Sequence, residues 1–176
     1  MKDLPLSEVY KLLEPGPVVL LTTARQGRQN VMTMSWHMMV DFVPPLIACV
    51  VSNGDYSFAA LRANKECVIA IPDVSLAETI VKIGNCSGRD TDKFVKFGLT
   101  ARPAQHVAAP LIGECFANLE CHVIDTRFVN KYNIFLLETV KAWRSATPAQ
   151  PKTIHHQGFG TFAVDGETIH LPSEKP

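Results

Sequence analysis

The sequence carries no excess of charge of either sign. Seventeen Lys and Arg residues balance seventeen Asp and Glu, so the formal net charge is zero over 176 residues. A chain without a basic face has no electrostatic footprint for DNA, RNA or an anionic membrane surface, and nucleic acid is not an expected partner. Long apolar runs are missing too. The longest, Phe42 to Val51, has ten residues and is broken by Pro44-Pro45, where a membrane span needs about 20. The opening MKDLPLSEVY lacks the apolar centre of a signal peptide. The expectation is a cytoplasmic protein with no membrane partner.

Patterned chemistry is equally sparse. Five cysteines, Cys49, Cys67, Cys86, Cys115 and Cys121, form an odd set without a C-x-x-C pair, so free thiols are expected. Cys49, Cys67 and Cys121 sit in apolar strand-like runs and read as small core residues. There is no P-loop, no H-E-x-x-H and no G-x-S-x-G. Cys121 and His122 are neighbours on a strand and point to opposite faces, while His155-His156 sits in a polar tail, so no metal site is expected. Gly158-Phe159-Gly160-Thr161-Phe162-Ala163 fits G-x-G-x-x-A, but a hairpin rather than a helix follows it, which excludes a Rossmann fingerprint.

What is present is a hydrophobic content of 47%, enough for a single domain, residues 1–176, with one proper core. The chain is organised around QNVMTMSWHMMVDFVPPLIACVVS, Gln29 to Ser52. Val31, Thr33 and Ser35 alternate with Met32 and Met34 as on a strand, an irregular segment carries Trp36 and His37, and Leu46 to Val51 forms a second, nearly all-apolar strand. The gap between these strands is lined by an indole, polar side chains and thioethers. That lining suits a flat aromatic ligand.

In chain order, a helix is expected over Leu6 to Leu13, a strand over Val18 to Ala24 and a turn at Arg25-Gln26-Gly27-Arg28. Ser57 is placed to cap a brief helix to Ala63. Glu66 to Ile71 reads as a strand, and Ser75-Leu76-Ala77-Glu78 as a capping box. Phe94 and Phe97 share one side of a short helix that Gly98 stops. Phe116 to Arg127 and Tyr132 to Trp143 read as long strands, and Asp165-Gly166 as the turn of a hairpin between Phe159–Val164 and Glu167–Leu171. Strands that mostly follow one another with only short helices between them predict a mainly β fold, a closed antiparallel barrel with helical inserts.

Several of these motifs together resemble the flavin reductase-like family, which includes flavoredoxin. They are Asn30-Val31-Met32-Thr33-Met34-Ser35-Trp36, Pro44-Pro45-Leu46-Ile47, and Ser87-Gly88-Arg89-Asp90 with Asp92-Lys93-Phe94 and Gly98-Leu99-Thr100, in a match spanning about Val18 to Trp143. The resemblance implies a Greek-key split β-barrel, a homodimer with FMN near its interface, and flavin reduction by NADH or NADPH as a transient co-substrate, with a partner oxygenase or redox protein receiving the electrons. Flavoredoxin-like electron transfer, or non-catalytic binding of another cofactor such as haem or of a partner protein, are the alternatives.

The residues read consistently with that implication. Ser87, Gly88 and Arg89 at a helix start offer main-chain donors, a hydroxyl and a fixed positive charge for a phosphate, with Lys93 one turn on. Lys93 at the flavin N1 and O2 edge is the other placement. Simple surface pairing of Arg89 and Lys93 with Asp90, Asp92 or Glu78 is the plainer reading. Trp36 offers a rigid face and a donor to an aromatic ring. Thr33, Met34 and Ser35 would run along that ring, and Val51, Ser52, Tyr56 and Ser57 would meet its tail. Against the family pattern stand Met39, Asp41, His37 and the acidic Asp55, which would oppose a phosphate if it pointed inward. His37 reads as a packing or rim residue.

Overall fold

The computed structural model describes residues 16–172; the helix expected over Leu6 to Leu13 lies outside them. Strands β1 (Val19–Arg25) and β2 (Arg28–Met34) form a hairpin. Its two-residue turn, Gln26-Gly27, has φ of 51° and 74°, the mirror-image turn that matches strand twist. Then come β3 (His37–Phe42), β4 (Pro45–Val50), α1 (Tyr56–Asn64) and β5 (Glu66–Ile71). A 3₁₀ turn, Val74–Leu76, leads into α2 (Ala77–Gly84), followed by α3 (Lys93–Phe97) and the short strands β6 (Ala101–Arg102) and β7 (Leu111–Ile112). The long strands β8 (Ala117–Asp125) and β9 (Ile134–Arg144) flank the helical turn α4 (Val129–Tyr132), and β10 (Ile154–Gly158) pairs with β11 (Thr161–Val164).

Seven strands make one antiparallel sheet in the order β2-β1-β5-β8-β9-β4-β3. Its edges, β2 and β3, are consecutive in the chain and separated only by Ser35-Trp36. Met34 and His37 therefore lie within about 11 Å of each other, the reach of three extended residues, and the sheet must curl. It does not close, because no ladder joins β2 to β3 among the described residues. The fold is thus mainly β and antiparallel with short helices, as expected, but the closed ring is corrected to an open seam. At the link, His37 N donates to Ser35 O at 3.2 Å and Val50 N to Trp36 O at 3.0 Å, which turns the chain back along β4 instead of along β2.

Alternation along β1 explains the core. Val19 and Leu21 face a cluster with Met34, Ile47, Cys49, Cys67, Cys121, Phe135 and Leu137. Val18 and Leu20 face a second cluster with Val31, Ile80, Ile83 and Phe94 from the helical layer. Both sides of β1 are covered at its start, so residues 18–21 read as a continuous apolar run. Cys49, Cys67 and Cys121 are free and buried as expected.

Several local expectations change. The stretch around Trp36 and His37, read as irregular, becomes β3 from His37 on. Its apolar residues hid the strand period, because neither face is buried: Met38, Met39, Val40 and Phe42 are all exposed. Asp73, not Ser75, caps the 3₁₀ turn, accepting from Ser75 N at 3.0 Å. The C-terminal hairpin turns at Phe159-Gly160, with Gly158, Phe159 and Gly160 all at positive φ, rather than at Asp165-Gly166. The Asp165 carboxylate instead accepts from Thr153 N at 2.6 Å and Thr153 Oγ1 at 2.8 Å and bonds His155 Nε2 at 2.9 Å. These bonds tie the segment to β10 in place of an Asp-Gly turn. His155-His156 accordingly lies on a strand, not in a polar tail.

Candidate functional site

Two clefts open where β2, the N-terminal end of α1 and the loop between α2 and α3 converge. The inner cleft, about 310 Å³, is lined by Thr33, Ser57, Ser87, Gly88, Cys86 and Lys93. The outer one, about 520 Å³, is lined by Thr23, Arg25, Arg28, Ala59 and Arg89. They share Asn30, Gly54, Asp55 and Tyr56 as a common wall. Both volumes lie in the range of small-molecule sites.

The wall is tightly built. Asn30 is buried on β2 and donates from Nδ2 to Ser57 Oγ at 2.8 Å. The carbonyl side of the same amide presses on Gly88, where a Cβ would collide with Asn30 and would also stand 2.8 Å from Tyr56 Cδ1. Arg28 pins the loop from the other side. One of its terminal nitrogens donates to Gly88 O at 2.6 Å and Arg89 O at 3.0 Å, and its guanidinium stands 5.4 Å from the Tyr56 ring centre. Ser87 Oγ accepts from Arg89 N at 3.1 Å. Thr33 donates its hydroxyl to Ile80 O at 2.7 Å and so joins β2 to α2.

Lys93 is buried on the wall of the inner cleft, 5% exposed. Its Nζ donates to Ile83 O at 2.9 Å. Loss of hydration holds its ammonium below the usual lysine range, against the opposing pull of Cys86 and Asp55. The surface pairing weighed from the sequence is absent among the described residues. Glu78 pairs with Lys82 at 3.4 Å, and Asp92 accepts from Val95 N at 3.1 Å as the cap of α3.

Asp55 does not simply oppose an anion. Its Oδ2 accepts from Ser52 N at 3.0 Å, and Ser52 Oγ accepts from Gly54 N at 3.3 Å, a self-contained loop at the mouth. Ser57 is not the helix cap that its spacing suggested. The cap position is Asp55, whose side chain turns to Ser52 N and makes no bond to the helix, and Ser57 is buried as Asn30's acceptor.

Of the residues expected at the site, Thr33, Tyr56, Ser57, Ser87, Gly88 and Lys93 line the inner cleft, and Arg89 with Tyr56 the outer. Met34 and Val51 point into the main core. Ser52 is exposed on the mouth loop, Ser35 is half-buried on the link between β2 and β3, and Trp36, 54% exposed beside it, lines neither cleft. His37 is the packing residue it read as: its ring lies against Gly16, and its Nε2 meets Pro17 O at 2.8 Å. Sequence reading missed Thr23, Arg25, Arg28 and Asn30. Asn30 opened a quoted motif, and the two arginines flank the Gln-Gly turn. A hairpin end facing the Ser87 loop is a tertiary fact that no local spacing announces.

Residues 12–163 match the family model described as flavin reductase like domain. The Escherichia coli (strain K12) uncharacterized protein YddH is 31% identical, covering 93% of this chain and 94% of its own length. A solved FMN-binding domain of a flavin reductases-like enzyme from Shewanella baltica OS155 superposes with a TM-score of 0.84 at 25% identity, over 97% of both chains. Flavoredoxin of Desulfovibrio vulgaris (Miyazaki F) does so at 0.85 and 23%, over 99% of this chain and 98% of that one. Among the described residues no helix is long and apolar enough to cross a membrane. A family model matched over residues 12–163 and a relative 31% identical across nearly the whole chain place it: the chain belongs to the flavin reductase-like family.

Proposed function

We propose that the protein binds FMN in the inner cleft and uses it as an NAD(P)H-dependent flavin reductase. What carries the reading is Lys93 in the inner cleft with Ser87 beside it. A phosphate-bearing ligand needs a cation that it need not strip of water, and hydroxyl donors around it. The dehydrated Lys93 ammonium supplies the first and Ser87, on the same cleft wall, offers the second, while Gly88 lets their loop pack against Asn30 and Tyr56, where a Cβ would collide. The donor set fits the group.

In this reading Ser87, Gly88 and Lys93 hold the anionic tail, with Tyr56 and Ser57 along the ribityl chain, and the ring lies beyond Thr33 along the main chain of Met34, Ser35 and Trp36, outside the cleft itself. FMN, when bound, supplies the two-electron chemistry, accepting hydride from NADH or NADPH. The chain's own residues bind, orient and exclude water. Lys93 contributes fixed positive charge in a poorly hydrated wall, where it favours whatever negative charge develops nearby. The exposed apolar run of Trp36, Met38, Met39, Phe42 and Val43 supports a homodimer that covers this edge, and the reduced flavin would serve a partner oxygenase or redox protein.

The test is direct. Purified protein with FMN should consume NADH or NADPH, and titration should quench flavin fluorescence. Quenching without consumption of either nucleotide would select the flavoredoxin-like reading, which the fold-level likeness to flavoredoxin supports. No quenching would remove the FMN reading altogether.

A further inference from the structure

One guanidinium reaches from the β1–β2 hairpin to the loop that carries Ser87. Arg28 and Asn30 stand two apart on β2 and so share a face, which turns toward that loop and the start of α1. Asn30 holds Ser57. Arg28 holds the main chain of the loop: a terminal nitrogen donates to Gly88 O at 2.6 Å and to Arg89 O at 3.0 Å. Its guanidinium lies 5.4 Å from the centre of the Tyr56 ring, the same ring against which Gly88 packs. Arg28 is exposed, yet three groups fix it. Among the described residues it makes no ion pair with a carboxylate, so main-chain oxygens are what its donors meet.

Those carbonyls matter because of what stands at the other end of their peptide units. A trans peptide is planar and points its C=O and N–H in opposite directions, and both of these are trans. With Gly88 O drawn to Arg28, Arg89 N–H faces the other way and donates to Ser87 Oγ at 3.1 Å. With Arg89 O drawn to Arg28, Asp90 N–H turns back to Ser87 O at 3.3 Å and closes the turn. A flipped Gly88-Arg89 peptide would lay an oxygen against the Ser87 hydroxyl instead. A hydroxyl has one hydrogen to donate and two lone pairs to accept with. Because Arg89 N–H occupies a lone pair, Ser87 keeps its hydrogen for an acceptor in the inner cleft, which it lines. A guanidinium on the carbonyl also polarises the peptide and strengthens its N–H as a donor.

We infer that Arg28 is a positioning residue for phosphate recognition: without touching the ligand, it sets the direction of two peptide planes and so leaves the Ser87 hydroxyl as a donor to the anionic tail. This rests on the FMN reading of the inner cleft, from whose lining Arg28 itself is absent. Its action passes through Ser87, so it bears on the phosphate and not on the ring. A residue that merely held the hairpin to the loop would affect every flavin alike.

The experiment titrates wild type, Arg28→Met, Ser87→Ala and the double variant with FMN and with riboflavin, which has the same ring and ribityl chain but no phosphate, following flavin fluorescence. Methionine keeps an apolar stem over Tyr56 and removes every donor. The expected result is that Arg28→Met binds FMN about tenfold more weakly, the size of one charge-assisted hydrogen bond, and riboflavin within twofold of wild type. The double variant should bind FMN within twofold of the weaker single variant, because two residues that act through one contact are not additive. Equal losses for FMN and riboflavin would reduce Arg28 to a structural tie and overturn the inference. Additive losses in the double variant would also overturn it, since Arg28 would then act by charge alone and not through Ser87. So would FMN binding unchanged in Arg28→Met. Wild type binding FMN and riboflavin equally would remove the phosphate contact, and this inference with it, while the flavin reading stands. Wild type binding neither removes both.

Discussion

The side-chain amide of Asn30 is held at both ends: its Nδ2 donates to Ser57 Oγ at 2.8 Å, and its carbonyl end occupies the space a side chain at residue 88 would need. Gly88→Ala is therefore a test of space, since Gly88 is not among the positive-φ residues. Overpacking of this kind costs about 1–3 kcal/mol, and the loop must shift away from Asn30 and Tyr56. FMN affinity should fall at least about tenfold with a smaller loss in thermal stability. Unchanged quenching of flavin fluorescence by Gly88→Ala would show that the inner cleft is not the flavin site.

Lys93→Met separates binding from folding. The folded protein holds the Lys93 ammonium below the ordinary lysine value of 10.5, so the unfolded chain binds the proton more readily. Stability from this group then rises with pH through the window between the lowered value and 10.5. The wild-type apoprotein should show that alkaline rise and Lys93→Met should not, while FMN binding weakens about tenfold or more. Matched urea midpoints across pH 8 to 10.5 in both proteins would contradict the assignment.

Thiol chemistry reports on the inner cleft. Burial pushes the Cys49 and Cys115 thiols up to about 12, and Cys67 and Cys121 are buried as well, whereas Cys86 is half-buried on the cleft wall. A thiol reagent applied to native protein should modify Cys86 first, and saturating FMN should slow that reaction. Equal rates with and without FMN would place the flavin elsewhere.

Glu120 is fully buried and accepts from Gln105 N at 3.0 Å, His106 N at 2.6 Å and Trp143 Nε1 at 2.7 Å. Burial alone would raise its carboxyl, but these donors outweigh it and hold the group below 4.5. Its contribution is therefore complete above 4.5 and is lost as pH falls through the lowered value. Glu120→Gln should destabilise by about 1–3 kcal/mol at neutral pH, a gap that narrows in acid. Trp143 fluorescence would follow the release. A constant difference down to the acid transition would refute it.

Phe42 and Val43, 83% and 88% exposed, stand at the tip of the β3–β4 hairpin. If a second copy covers them, Phe42→Lys should shift the sedimentation coefficient toward that of a monomer and leave the far-ultraviolet spectrum intact. A wild-type protein that sediments as a monomer at micromolar concentration would end the dimer proposal.

The sequence made the strands with a buried face easy to read. Glu66 to Ile71 was expected and found with the same limits, since Cys67, Val68, Ile69 and Ala70 are all buried between turn signals. Gly98 stops α3 in the left-handed region as expected. Strand β3 escaped because periodicity records burial, and a strand exposed on both faces leaves no period. The Asp165-Gly166 hairpin failed because a carboxylate that reaches Thr153 and His155 outcompetes a local turn. At the site, Ser87, Gly88 and Lys93 were legible as a short-range motif. The lining contributed by Thr23, Arg25 and Arg28 depends on which hairpin end faces which loop, and only the folded topology decides that.

The two outermost strands are a single length of backbone interrupted by Ser35-Trp36, so the girth of the molecule is fixed by covalent reach rather than by a final ladder. A belt fastened in this way cannot slip by one hydrogen-bond step, but it can be let out. Inserting two glycines between Ser35 and Trp36 would lengthen the fastening by about 7 Å. It would free β2, with Asn30 and Arg28 upon it, from β3, loosening the cleft wall and the exposed hairpin together.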